Sequence, residues 1–327
     1  MRLLLIDGHY YVYRSFYAIR ELTNSRGEPT NAIYGFVKTV RKMIKDLAPD
    51  LGAVLWDEGL PKRRTELQPA YKATRTEMPQ PMRPQLDFIR KLTPLLGLAS
   101  IGVEDTEADD LIAAYATAAA ARGDEVILAT NDKDLFQLVD ERCRVYSTNK
   151  TDLSAPGDAF ALLGPGQVLA KWGVPPQKIG EVLALIGDTA DNIPGVGGIG
   201  QKTAATLINE HGSLDSVLAN LDSVKSERIR EKLRAAIPLI EQNREMVRLD
   251  TDLALPVPME EMRIAPRWPE LIAALEACEF KGLTADVRKE ASACATPPPA
   301  TPPQEPVISN SNALAPKGTA FQQGELF

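Results

Sequence analysis

Three short apolar runs that each stop on an acid constrain this chain more than any other feature. They are RLLLID (2–7), LGAVLWD (51–57) and DEVILATND (124–132). Runs of that length, rich in Leu, Val and Ile, read as buried β-strands. Between them, the apolar residues of AIYGFVKTVRKMIKDL (32–47) recur at three and four, which predicts an amphipathic helix stopped by Pro49. EADDLIAAYATAAAARG (107–123) predicts an alanine-rich helix closed by Gly123. Strands alternating with helices imply an α/β chain, a mostly parallel central sheet flanked by helices. Ligands of such sheets sit outside the carboxyl ends of the strands, where Asp7, Asp57 and Asp132 should converge.

More acids gather near those three. TEADD (106–110) crowds Glu107, Asp109 and Asp110 at a helix start. Thr106 could cap that helix, and its dipole favours first-turn carboxylates by about 0.3–1 kcal/mol each. A third acid is less well explained that way. Asp134 follows Asp132 in NDKD, and Asp188 and Asp191 stand three apart in GDTADN, on one side of a helical turn. Nine such carboxylates brought together would repel one another prohibitively without cations. Oxygen donors with no His or Cys among them suit Mg2+ or Mn2+ and disfavour zinc. Two such ions about 4 Å apart can activate a water and stabilise the leaving oxygen of a phosphodiester. The net charge of −7 argues on its face against a nucleic-acid partner, but setting the nine acids aside leaves +2. The remaining surface is therefore mildly basic.

The 327 residues, 44% apolar and 25% charged, suit one large globular domain or two modest ones. Cys143, Cys278 and Cys294 show no CxxC spacing, so neither a disulfide framework nor a zinc site is expected. No run approaches the roughly 18 apolar residues of a membrane span, and the opening run is too short for a signal peptide. A cytoplasmic protein without membrane contact is expected. LPKRRTELQPAYKATRTEMPQPMRPQ (60–85) is polar, basic and broken by prolines, an insertion of a functional or disordered kind. From about 160 the pattern turns helical until LEACEFKGL (275–283), and ATPPPATPPQEP beyond 290 has the composition of a disordered linker. In IPGVGGIGQKTA (193–204) glycines allow close backbone approach, and the helix that follows presents free N–H groups to a phosphate. No strand precedes it, which counts against a dinucleotide fold.

LLLIDGHYYVYRSFYA, RRTELQPAYKATR, EADD, TNDKDLFQLV and GDTADNIPGVGGIGQKTA resemble, in that order, the 5′ nuclease domain of bacterial DNA polymerase I, within the flap endonuclease superfamily. The resemblance runs from residue 1 to about 285. It implies a PIN-like α/β core over 1–160, with a helical arch at about 60–95. It also implies a helical subdomain over 161–290 with a helix–three-turn–helix element at about 183–212, and a tail over 291–327. The implied activity is a structure-specific 5′-3′ exonuclease and 5′-flap endonuclease, cutting DNA and RNA primers in replication and repair. The implied cofactors are two or more Mg2+ ions, for which Mn2+ could substitute. All nine acids (Asp7, Asp57, Glu107, Asp109, Asp110, Asp132, Asp134, Asp188 and Asp191) fall on the family's metal-cluster positions.

Lys72 and Arg75 match the two cations that face the scissile phosphate, and Arg14 and Arg64 match further DNA contacts. Gly195, Gly197, Gly198, Gly200 and Lys202 match the element that grips the duplex backbone without reading bases. Carbonyls between Gly195 and Ile199 could hold a monovalent cation, K+. Tyr10, Tyr11, Tyr13 and Phe16 could stack on bases, although some must be core, and His9 abuts Asp7. Asn131, Thr106 and Gly197 depart from the family's usual Gly, aromatic residue and Pro without removing a charge. No proofreading or polymerase segment is present, so a stand-alone monomer acting on DNA with a 5′ flap or 5′ end is expected. QGELF, Gln323 to Phe327, resembles the pentapeptide by which bacterial replication proteins bind the sliding clamp, with Gln323, Leu326 and Phe327 as anchors. Two other readings stay open: a non-catalytic, clamp-tethered binder of DNA junctions, and a related α/β nuclease acting on RNA.

Overall fold

The computed structural model describes residues 1–155 and 157–295. β1 (Arg2–Asp7) is buried through its middle and turns at once into α1 (Gly8–Ala18). The expected amphipathic helix is α2 (Asn31–Leu47), which buries Val37, Val40 and Met43 and leads into β2 (Leu51–Trp56). The basic insertion contains α3 (Lys62–Leu67) and runs into α4 (Arg83–Leu92), after which comes β3 (Ala99–Gly102). The alanine-rich helix is α5 (Ala108–Ala121), followed by β4 (Glu125–Ala129), β5 (Cys143–Ser147) and β6 (Ala161–Leu163).

Among the described residues these six strands form one sheet, ordered β3-β2-β1-β4-β5-β6. All neighbours are parallel except β5 and β6, with Leu3 opposite Leu51 and Leu4 opposite Ile127. The chain therefore steps from β1 to β2 on one side and reaches β4 on the other. A crevice opens at that reversal, beyond the carboxyl end of β1.

The sequence reading finds β1, β2 and β4 but not β3, β5 or β6. ASIG, CRVYS and ALL are only three to five residues long and carry no sustained apolar run. Pairing with an existing sheet, a non-local interaction, is what makes them strands.

A helical subdomain follows: α6 (Pro165–Trp172), α7 (Ile179–Ile186), α8 (Gln201–His211), α9 (Leu214–Ala219), α10 (Glu227–Ala235) and α11 (Ile237–Val247). Its buried Val182, Ile199, Leu207 and Ile240 join Leu111 of α5 and Leu3 and Leu55 of the sheet in one core. Not all of the stretch expected as a helical subdomain, 161–290, packs with these helices. β6 belongs to the sheet, and α12 (Trp268–Ala277) and α13 (Lys281–Ala295) pack Leu271, Leu275 and Val287 against the opposite sheet face, with Met43 of α2. A bridge from Arg263 to Leu51 ties the connecting strap to β2.

Residues 291–295, expected within the tail, are the end of α13. Gln323, Leu326 and Phe327 lie outside the described residues. No helix among the described residues is long and apolar enough to cross a membrane.

Candidate active site

Acids wall the crevice beside β1. Asp7 caps α1, accepting the Tyr10 N–H at 3.0 Å and the Thr130 hydroxyl at 3.2 Å. Asp57, one residue past β2, accepts the Ala108 N–H at 2.8 Å and so fixes the start of α5 beside the sheet. Thr106 makes no cap: its hydroxyl donates to the Glu104 carbonyl, and Glu107 occupies the N-cap position. A carboxylate delivered from β2 satisfies the N–H that a local threonine was expected to take.

Asp132 accepts the Asp134 N–H at 2.9 Å, and its own N–H donates to Thr130 Oγ1 at 3.0 Å. Asp7, Asp57, Asp109 and Asp132 line a single cavity of about 550 Å³ together with Tyr10, Tyr13, Lys72 and Arg75.

Their protonation reflects the crowding. Burial, then repulsion from Asp57 and Asp132, pushes the Asp7 carboxyl up to about 7. Burial and neighbouring carboxylates hold Asp109 and Asp134 well above the ordinary range and raise Asp132 as well. Asp134 Oδ1 is buried with no hydrogen-bond partner. His9 also lines the cavity; burial lowers its pKa, and its Nδ1 accepts the Asp57 N–H at 3.3 Å. A neutral imidazole in that role makes no ion pair with the Asp57 carboxylate, although the two approach to 3.3 Å.

Half-buried carboxylates that form no salt bridge, one with an orphaned buried oxygen, fit a hard divalent ion in charge and donor type. Among the described residues no three Asp, Glu, His or Cys side chains already stand as a finished ligand set. The fit is therefore one of donor chemistry and charge.

Of the outer acids, Glu107 and Asp191 are paired with cations of the insertion and Asp188 with Lys133. Glu107 accepts from Arg64, from Lys72 and, at 3.0 Å, from the Tyr71 hydroxyl. Asp191 accepts from Arg75 at 2.6 Å and Tyr71 at 3.3 Å, with the Lys72 ammonium 3.8 Å away. Asp188 pairs with Lys133 at 3.0 Å. Burial alone would lower the Lys72 pKa, but Glu107 and Asp191 outweigh it and hold the ammonium above its ordinary value. Lys72 and Arg75 are thus fixed positive charges on the wall of the acidic cavity.

The arch is less helical than expected. Pro69, Pro79 and Pro81 leave only Lys62–Leu67 helical before α4. The intervening turns are held to the 188–193 segment, with the Lys72 N–H on the Asp191 carbonyl at 3.0 Å and Asn192 Nδ2 on the Ala70 carbonyl at 2.7 Å.

Two expected roles do not survive the geometry. Arg64, assigned to DNA, is only 4% exposed. Its guanidinium forks onto Asp110 at 2.6 and 2.9 Å, pairs with Glu107, and donates to the carbonyls of Met246 and Arg248 at 3.0 and 2.9 Å. Asp110, assigned to metal, is 1% exposed and accepts the Asp250 N–H at 3.0 Å as well as Arg64. Adjacent residues of a helix point about 100° apart. Asp109 consequently lines the cavity while Asp110 turns into the protein toward Arg64.

Three residues went unassigned in the sequence: Tyr71, which bridges Glu107 and Asp191, Thr130, which steadies Asp7 and Asp132, and Lys133, which neutralises Asp188. Tyr71 and Lys133 abut assigned residues, and Thr130 follows β4 two residues before Asp132, the only signal that could have found them. Arg14 sits on α1, donating to Thr148 Oγ1 at 2.6 Å and to the Tyr10 hydroxyl at 3.2 Å.

The glycine-rich turn lies between α7 and α8. Asn243 of α11 donates to the Ala184 and Pro194 carbonyls at 3.0 and 2.8 Å, and Val196 donates to the Leu185 carbonyl at 2.8 Å. Gly195 passes so close to the Ile186 carbonyl that a Cβ would collide with it. Buried Val196 and Ile199 anchor the turn, which leaves Gly197, Gly198, Gly200 and Lys202 exposed beside the start of α8. A groove lined by Lys171, Gly200, Gln201, Lys202 and Thr206 runs along that start.

Comparison with known proteins places this arrangement. The model for the 5'-3' exonuclease, N-terminal resolvase-like domain, matches residues 2–173, and that for the 5'-3' exonuclease, C-terminal SAM fold, matches residues 174–270. The chain belongs to the 5'-3' exonuclease family, a family of nucleases. It is 34% identical over 288 residues to a 5'-3' exonuclease of Aquifex aeolicus, covering 88% of this chain and 95% of that protein. It is 41% identical over 282 residues to the thermostable DNA polymerase I of Thermus thermophilus, covering 86% of this chain. The chain spans about a third, 32%, of that polymerase's length. Its fold is similar to the bacteriophage T5 D15 flap endonuclease in a pseudo-enzyme-product complex with DNA and metal ions. The TM-score is 0.62 and the identity 21%, over 89% of this chain and 100% of that one.

Proposed function

We propose that this chain is a divalent-metal-dependent, structure-selective 5′ nuclease that hydrolyses DNA, and RNA primer strands, at 5′ ends and 5′-flap junctions. The convergence of Asp7, Asp109, Asp132 and Asp134, half-buried and not paired with a basic side chain, beside the positive charges of Lys72 and Arg75, carries the reading. Bound among those acids, Mg2+ would activate the attacking water and stabilise the departing oxygen. Asp7, Asp57, Asp109, Asp132 and Asp134 are its proposed inner donors, with Glu107, Asp188 and Asp191 as an outer acidic ring that positions cations. Lys72 and Arg75 supply positive charge where the non-bridging oxygens of the scissile phosphate gain negative charge. The Arg75 side chain, paired with Asp191, is 48% exposed and so open to an incoming phosphate.

Duplex DNA would lie along the turn at Gly195–Gly200 and the groove beside Lys202, held through its backbone. The 5′ strand would pass the 60–95 segment, with Arg14 at the rim. The protein would act as a monomer, and Gln323–Phe327 would tether it to a sliding clamp. The test is turnover of a labelled 5′-flap oligonucleotide with and without Mg2+, with Asp132→Ala as control. Hydrolysis that needs Mg2+ and is lost in Asp132→Ala while DNA binding persists is the expected result; DNA binding without turnover by the wild type would refute it.

A further inference from the structure

We propose that Lys232 is a built-in cation of the glycine-rich turn, so that this turn holds a DNA phosphate without recruiting a monovalent metal ion. Lys232 lies on α10, 35 residues beyond the turn, and its ammonium donates to the Gly197 carbonyl at 2.5 Å. The adjacent Gly198 has a φ of +82°, and a Cβ there would stand 2.6 Å from the same ammonium. Glycine at that position is thus what lets the lysine in.

The expected K+ does not fit this arrangement. Such an ion needs several carbonyl oxygens at once in place of its hydration shell. Of the carbonyls between Gly195 and Ile199, that of Gly197 is taken by Lys232 and that of Val196 by the Ile199 N–H at 2.9 Å, while the Pro194 carbonyl just before them accepts from Asn243 at 2.8 Å. A metal ion on the Gly197 oxygen would also meet the ammonium charge at contact distance. Lys232 pairs with no carboxylate among the described residues, so its charge is free to act on an incoming anion. It stands beside exposed Gly198, two residues before Gly200, the N-cap of α8, a helix start with no side-chain cap.

This inference rests on the reading of the turn as a DNA-backbone site, and the experiment separates the two. Binding of a fluorescent nicked duplex with a 5′ flap is measured by anisotropy in EDTA, at several ionic strengths, in potassium chloride and in choline chloride. The wild type should bind equally in both salts. Lys232→Met should bind about threefold more weakly in choline, and the slope of log Kd against log salt should fall by about one, as for one lost phosphate contact. Lys232→Arg should restore both values, and unchanged melting temperatures should exclude a folding defect. A several-fold wild-type preference for potassium, or a Lys232→Met variant with unaltered affinity and slope, would overturn the inference alone. Failure of the wild type to bind this DNA in either salt would overturn the functional reading and this inference with it.

Discussion

Replacing Arg64 separates a DNA contact from a buried strut. In the structure its guanidinium satisfies Asp110 twice, pairs with Glu107 and covers two carbonyls of the Met246–Arg248 segment. Arg64→Ala leaves Asp110, 1% exposed, with the Asp250 N–H as its one remaining partner among the described groups. Breaking a buried ion pair from one side costs about 3–5 kcal/mol, because the surviving charge stays desolvated. Each abandoned carbonyl adds about 1 kcal/mol unless water reaches it. For a domain of this size 1 kcal/mol moves the melting temperature by about 2–4 °C, so a total of about 5–7 kcal/mol should lower it by at least about 10 °C and up to about 28 °C. Arg64→Lys should recover only part, since an ammonium cannot reproduce the fork onto Asp110 and the two carbonyls together. Thermal melts by circular dichroism, paired with binding of flap DNA by the folded fraction at low temperature, read both quantities. A melting temperature within 2 °C of wild type together with a large loss of DNA affinity would refute the buried-strut assignment.

Asp109→Asn and Asp110→Asn should diverge although the residues are neighbours: the first should abolish the rise in melting temperature on adding Mg2+, the second should lower stability without Mg2+ and retain that rise. The Asp7 carboxyl, at about 7 in the folded protein against 3.8 when free, favours folding below pH 4, and that advantage is lost as pH climbs toward 7. Asp7→Asn should therefore be more stable than wild type at pH 8 in EDTA, by at most about 4 kcal/mol, and gain nothing at pH 4, as urea melts would measure. Mg2+ should correspondingly stabilise the wild type more at pH 8 than at pH 5.5 by differential scanning fluorimetry. Gly195→Ala, forcing a methyl onto the Ile186 carbonyl, should cost roughly 2 kcal/mol or more and weaken flap-DNA binding, while Gly200→Ala, with open space at its Cβ, should be tolerated.

The sequence by itself determined the sheet's centre and its acids. RLLLID, LGAVLWD and DEVILATND announce strands because they are continuous apolar runs, and an acid at the end of each has one place to go in a parallel sheet. That logic needs only local pattern and the topology rule, and it places Asp7, Asp57 and Asp132 at one cavity. Tertiary structure alone decided which way neighbouring charges face. Asp109 and Asp110 are indistinguishable as letters, yet one lines the cavity and the other is sealed against Arg64, because a single helix step rotates the side chain by about 100°. Arg64 reads as one of several cations in a basic insertion until folding brings α5 and the end of α11 around it. Lys232 meets Gly197 from another helix in the same way. Short edge strands and long-range ion pairs depend on partners far along the chain, and no local pattern of residues encodes a partner's position.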